Sequence, residues 1–281
     1  MVVAEKRKYL ILLLPFVVLI SLFELLPLLS IFLNSFLSPS TGKWSLENFA
    51  SIFSSDYYVM SLINSLKVTM LSALIGILIA ILGAYAIHTA SPKLKKAFIM
   101  ILNMTANFQG IVLAFAFILL LGNSGTLTLL GQQFGIPGLA DYNLYGTSGI
   151  IITFIYFQIP LAILLLYPSF DAIHQEYKEA AMILKASSFQ FWLRVGIHIL
   201  LPSIFGTFSV LFSNALAAYA TPYALLGSNY ALLPIRISAM FTGDVVQQVE
   251  LGSALSIIML AMMSVMTLVS HLLLKKVRRG V

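Results

Sequence analysis

Six long apolar runs, at about 9–33, 62–88, 97–121, 149–167, 203–226 and 251–274, constrain this chain more than any other feature. A helix needs ~20 apolar residues to cross a ~30 Å hydrocarbon layer, and in lipid only a helix or a closed barrel satisfies every backbone N–H and C=O. The expected fold class is therefore an all-α membrane protein, with six transmembrane helices in one domain over residues 1–281. Charge agrees, since only 9% of the residues are charged and 60% are hydrophobic, where a soluble domain carries roughly 25% charged residues. No stretch remains for an extramembrane catalytic domain. The absence of cysteine removes disulfides, thiolate nucleophiles and Cys-ligated metal centres.

Basic residues set the orientation. Clusters at Lys6-Arg7-Lys8, Lys93-Lys95-Lys96, Lys178-Lys185-Arg194 and Lys275-Lys276-Arg278-Arg279 all fall on the side that six spans assign to both termini. Lys43 and Arg236 lie opposite with Asp56, Asp141, Asp244 and Glu250, and Lys67 lies inside the second span. The positive-inside rule makes both termini cytoplasmic, so the net charge of +6 reflects topology rather than nucleic-acid binding. Residues 1–22 resemble the opening of a secretory signal, but the apolar run continues to Leu33 without a small-residue cleavage site. A retained first helix, kinked at Pro15 and Pro27, is expected. The tract 34–60, with Trp44, Tyr57 and Tyr58, suits an outer interface.

The cytoplasmic segment 171–201 is too amphipathic to be a tether. Glu176 and Glu179 open a helix where its dipole favours acids, and Ala180, Ala181, Met182, Ile183 and Leu184 continue it. Ser187 and Ser188 interrupt the pattern. Phe189, Phe191, Trp192, Val195 and Ile199 then give an apolar face to a second helix expected to run to Pro202. Small residues at Ala180 and Ala181 allow a partner to approach closely.

Glu179-Ala180-Ala181, followed by Leu184, Ala186, Ser187, Gln190, Arg194, Val195 and Leu201-Pro202, resembles the EAA loop in the membrane subunits of binding-protein-dependent ABC importers, the type I permeases. Asn64-Ser65-Leu66 and Gln158-Ile159-Pro160 resemble two further signatures of that family, and the likeness covers roughly 64–226. The resemblance implies a type I permease fold with a cytoplasmic coupling helix, here carried by Glu176, Glu179, Ala180, Ala181, Leu184, Lys185, Ala186 and Ser187. It further implies two cytoplasmic ATPases that hold the ATP and Mg, leaving no cofactor in this chain. A second permease, expected to be a different chain, and an extracytoplasmic solute-binding protein complete the assembly in a prokaryotic inner membrane. Layout points to the polyamine, iron, thiamine and phosphonate branch. Two positions depart from the family pattern: Lys185 stands where the family has glycine and His198 where it has proline. Lys185 implies either a less abrupt turn or a left-handed residue strained by about 1 kcal/mol.

Polar residues in the spans are the candidates for the solute path. Glu24 and Lys67 lie roughly 13 Å and 8 Å below the outer surface at 1.5 Å per residue, so Glu24 is expected either to pair with Lys67 or to face the path. Asn103, Asn107, Gln109, Asn214 and Tyr219 either line the path or join helices by hydrogen bonds.

Other classes fit less well. Gly146-Thr147-Ser148-Gly149 matches a tetrapeptide of intramembrane serine proteases, yet the available base, His271, is expected at the opposite membrane face. A secondary transporter or channel not coupled to an ATPase is the stronger alternative. No paired, interrupted spans of the kind carriers use are legible, and a carrier has no need of the 171–201 segment.

Overall fold

The computed structural model describes residues 13–242 and 247–279. Lys6, Arg7, Lys8 and Asp244 lie outside the described residues, as do the side chains of Lys276, Arg278 and Arg279. Among the described residues, six helical segments are long and apolar enough to cross a membrane: Leu13–Ser35, Asp56–Thr89, Ile111–Phe134, Thr147–Ala172, Ser188–Leu216 and Val249–Lys275. Together they describe a multi-pass membrane protein. Helix labels used below are α1 (Leu13–Ser35), α2 (Glu47–Ser54), α3 (Asp56–Thr89), α4 (Pro92–Ala106), α5 (Ile111–Leu121), α6 (Thr126–Phe134) and α7 (Thr147–Leu166). They continue with α8 (Gln175–Ile183), α9 (Ser188–Leu216), α10 (Ala220–Leu226), α11 (Leu233–Thr242) and α12 (Val249–Arg279). No strand occurs among the described residues, only an isolated antiparallel bridge between Leu37 and Trp44.

The chain divides into two compact units. The first comprises Met1–Met60 and Arg236–Ala261. Its α1 buries no side chain before Ser35 and carries a π-helical turn at Ser21–Leu25, directly ahead of Pro27. Pro27 has no N–H to donate and its ring crowds the preceding turn, so the ladder slips to i−5 and Leu26 N–H donates to Ser21 O. The kink expected at Pro27 thus takes the form of a register slip. After α1, Asn48 fixes the tract that follows, its Nδ2 donating to Ser35 O at 3.1 Å and Leu37 O at 2.8 Å. Arg236 is buried over the ring of Tyr57, 3.9 Å from its centroid.

The second unit comprises Ser61–Ile235 and Met262–Val281. Its long helix α3 buries Ser61, Ser65, Val68, Ser72, Gly76, Ala80, Ala84 and Ile87, a stripe of mostly small residues at helical spacing. Lipid tails are as apolar as leucine, so close backbone approach and polar contacts, not transfer from water, drive this packing. At Gly76 an added Cβ would lie 3.3 Å from Gln158 Cβ, and Gln158 Nε2 donates to Ser72 Oγ at 2.9 Å, joining α3 to α7. Asn64 and Ser65 pin the entry to α11: Asn64 Nδ2 donates to Ala231 O, and Leu233 N–H donates to Ser65 Oγ at 2.7 Å.

Two expected spans differ. The run 97–121 is not one helix. α4 ends at Ala106, Asn107 to Gly110 form a break with Gly110 at φ +79°, and the apolar segment of the required length is Ile111–Phe134, made of α5 and α6 with a turn at 122–125. The run 203–226 is also interrupted, between α9 and α10 at Ala217 to Tyr219. The second helix of the 171–201 segment does not stop at Pro202 either: α9 continues through it to Leu216, as membrane helices can when neighbours satisfy the freed carbonyl. The two runs thus each carry a short break, at 107–110 and at 217–219.

Candidate coupling segment and solute path

The 171–201 segment folds as its residues dictate. A 3-10 turn, Tyr167–Ala172, leads from α7 to α8, and Glu176 lies in the first turn of α8. The end of α8 is a Schellman motif: Lys185 N–H donates to Met182 O and Ala186 N–H to Ala181 O, both at 2.9 Å. The residue at its left-handed position is Lys185, at φ 54°, the one non-glycine residue with positive φ among the described residues. Of the two alternatives for Lys185, the structure adopts the strained left-handed residue. Ser187 then caps α9 with a capping box, Ser187 N–H donating to Gln190 Oε1 and Gln190 N–H to Ser187 Oγ.

Exposure separates the candidate coupling residues. Glu176, Glu179, Ala180, Leu184, Lys185 and Ser187 are exposed, whereas Ala181 packs inward against the core and Ala186 is half-buried. Ala181 thus supports α8 from behind and is not part of its outer face. Sequence reasoning missed Met182 and Ile183 as surface residues. With Leu184 they form an apolar ridge, 62%, 82% and 81% exposed, at the C-terminal end of α8. The signal was present in three consecutive apolar residues on a helix whose core-facing position, Ala181, was already filled.

The path candidates fall into separate groups. Asn103 and Asn107 bond within their own helix, each amide donating to the carbonyl four residues earlier at 2.8 Å, rather than to a second helix. Gln109 is exposed in the break that follows. Tyr219 stands at the break between α9 and α10, stacked on Tyr223 with centroids 5.0 Å apart. Two residues missed in the sequence bring the breaks together: Gly110 N–H donates to Thr221 Oγ1 at 3.0 Å, and Thr221 Oγ1 donates back to Gly110 O at 3.1 Å. Asn214 lies elsewhere, on a cavity of about 510 Å³ that also contains Ser209, Ser213, Thr267 and His271, and its buried Nδ2 has no partner among the described residues. Glu24 and Lys67 are exposed on their own helices, in different units.

The protease-like tetrapeptide has a packing role. A Cβ at Gly149 would sit 1.8 Å from the carbonyl oxygen of Leu144, so only glycine fits there. Ser148 is exposed at the start of α7 and His271 lines the cavity on α9 and α12.

No family model matches the chain. Its sequence is 29% identical over 256 residues to the ferric transport system permease protein FbpB of Actinobacillus pleuropneumoniae, covering 87% of this chain and 36% of that protein. It is 24% identical over 264 residues to the spermidine/putrescine transport system permease protein PotB of Haemophilus influenzae, covering 92% of this chain and 91% of that one. The thiamine transport system permease protein ThiP of Haemophilus influenzae is 27% identical over 175 residues, covering 62% of this chain and 32% of that one. The chain is similar in sequence to ABC transport permeases. It spans little more than a third of the length of the ferric-transport permease, and nearly all of the polyamine one. The permease fold is matched by a bacterial ABC transporter involved in the import of the acidic polysaccharide alginate, with TM-score 0.75, 18% identity and 96% of both chains covered. The alginate transporter in complex with an alginate pentasaccharide-bound periplasmic protein matches with TM-score 0.73 and 18% identity, covering 94% of this chain and 93% of that one.

Proposed function

We propose that the chain is the membrane permease subunit of an ATP-driven ABC importer, moving a small solute delivered by an extracytoplasmic binding protein. The observation that carries this reading is α8. A short helix with acids in its first turn, Ala180 exposed on its surface and an apolar ridge at Met182, Ile183 and Leu184 is shaped to seat in a groove of a partner. The reading places two cytoplasmic ATPases against α8 and its counterpart in a second, different permease, with ATP and Mg bound on those ATPases and both termini of this chain cytoplasmic. Nucleotide-driven closure shifts the permease toward outward access only if α8 makes different contacts in the two states.

The proposed solute path runs past the paired breaks, where Asn103, Asn107, Gln109 and Tyr219 surround the ends of interrupted helices, and past Asn214. Glu24 either pairs with Lys67 or faces this path, and unchanged uptake in Glu24→Gln would exclude both roles. The names of the relatives support a polyamine, iron or thiamine type of solute, and layout adds phosphonates.

The experiment is to tag the chain in its native host, extract it in mild detergent and identify what co-purifies, comparing wild type with Glu179→Arg. Recovery of an ATPase and a second permease, with the ATPase lost in the variant, is the expected result. Interrupted helices are also a device of secondary carriers. A chain recovered alone that transports without nucleotide would establish that alternative.

A further inference from the structure

Behind α8 the structure holds a cluster of rings that the coupling reading does not itself require. Trp192 is its centre. The indole stands edge-on to Tyr85 of α3, with centroids 5.1 Å apart and planes at 80°, and lies 6.1 Å from Phe170 of the 3-10 turn that leads into α8. Phe191, buried, packs on its other side at 5.8 Å. Tyr85 and Phe170 also meet each other, at 6.2 Å, so three chain segments converge on one aromatic contact set.

The segments are gripped at their edges as well. His88, one turn beyond Tyr85, has Nδ1 3.3 Å from Asp171 Oδ1 and its ring 5.8 Å from Phe170. Lys95 of α4 lies over the ring of Tyr167, 5.2 Å from its centroid. The 3-10 turn thus touches α3 and α4 near its two ends.

Trp192 also opens a π-helical turn, Trp192–Gly196, in which Ile197 N–H donates to Trp192 O five residues back. Its ring lies on Gly196 so closely that a Cβ there would be 2.4 Å from an indole carbon. Single π turns inside α-helices are frequent at functional sites. Two cavities, of about 410 and 400 Å³, flank the indole, and both are lined by Tyr85, Ser188 and Trp192. One of them reaches the inward-packed Ala181 and the exposed Met182 of α8, the other Leu200 and Ile204 further along α9.

We infer that Trp192 is a positioning residue for energy coupling, a rigid bearing through which displacement of α8 and its 3-10 turn is passed to α3 and α9. The inference rests on the importer reading above. The reason is mechanical: packed rings, edge-to-face between Tyr85 and Trp192 and tilted against Phe170, resist shear between the segments they join, while the adjacent free volume lets the set move as one body. A π turn at the same residue gives α9 a place to take up that movement without breaking its ladder. Trp192 does not belong to the outer ridge of α8, so its loss leaves the ATPase bound but uncouples it.

The test uses the tagged complex as isolated from the native host, and it exploits the absence of cysteine in this chain. A Gln109→Cys reporter in the break between α4 and α5 is labelled with a membrane-impermeant maleimide, with and without ATP plus vanadate, and labelling is read on this chain alone. Four backgrounds are compared: wild type, Trp192→Ala, Trp192→Phe and Gly196→Ala. Expected is a nucleotide-dependent labelling ratio in wild type that falls toward unity in Trp192→Ala, with ATPase still co-purifying, and that is largely restored in Trp192→Phe. Gly196→Ala, which displaces the indole by one methyl group, behaves as Trp192→Ala and serves if the larger truncation fails to assemble. A full wild-type ratio in Trp192→Ala or Gly196→Ala overturns the inference, and so does loss of the ATPase in Trp192→Ala, which would make Trp192 part of the docking surface. Failure to recover any ATPase with wild type overturns the importer reading and, with it, this one.

Discussion

Replacing Lys185 by glycine should make the coupling segment more stable. Lys185 holds the left-handed position of the Schellman motif that ends α8, at φ 54°. A side chain there costs ~1–2 kcal/mol through the clash of Cβ with the following carbonyl. Glycine removes that clash but brings ~0.5–1 kcal/mol of extra chain freedom to the unfolded segment. The net gain is about 0.5–1 kcal/mol, or roughly a 2- to 5-fold shift in local opening. The amide that reports it is that of Ala186, which donates to Ala181 O at 2.9 Å and is freed when the motif opens. Hydrogen exchange on the purified complex, corrected for intrinsic rates, should show Ala186 exchanging about 2- to 5-fold more slowly in Lys185→Gly. Lys185→Asn should slow it too, because asparagine tolerates the left-handed region without glycine's freedom. Exchange at Ala186 unchanged or faster in both variants would refute the reasoning, since the lysine would then bear no strain.

Three further outcomes follow from the packing. Ser187→Ala removes the acceptor for Gln190 N–H and should cost ~1 kcal/mol of α9 start, seen as faster exchange at Gln190 with α8 unaffected. Thr221→Val leaves Gly110 without its side-chain partner and should lower stability by ~1–3 kcal/mol in a thermal melt of the detergent-solubilised protein, while Thr221→Ser stays near wild type. Gly149→Ala places a methyl group within 1.8 Å of a backbone oxygen, so membrane-inserted yield should fall sharply; normal yield would mean α7 can shift away from Leu144.

What the sequence determined by itself were properties set by local chemistry. The number of crossing helices follows from runs of apolar residues, and the acid-first, small-residue opening of α8 follows from dipole and propensity, so both were legible. The break after α8 was legible too, in Ser187 and Ser188 interrupting the helical pattern, whereas the left-handed turn at Lys185 was one of two alternatives until the structure chose it. Tertiary structure decided where membrane helices are interrupted. Hydropathy averages over ~20 residues and does not register a four-residue break flanked by apolar sequence. Whether Asn107 to Gly110 can leave the helix depends on a partner for the freed backbone, and that partner, Thr221, lies 111 residues away. Ala181 turning inward, Gly149 fitting under Leu144 and the indole of Trp192 resting on Gly196 are settled the same way, by atoms that only the folded chain brings together. In lipid the hydrophobic effect does not choose which helix face is buried, so close contact between specific surfaces makes that choice, and such contact is not a property of any one segment.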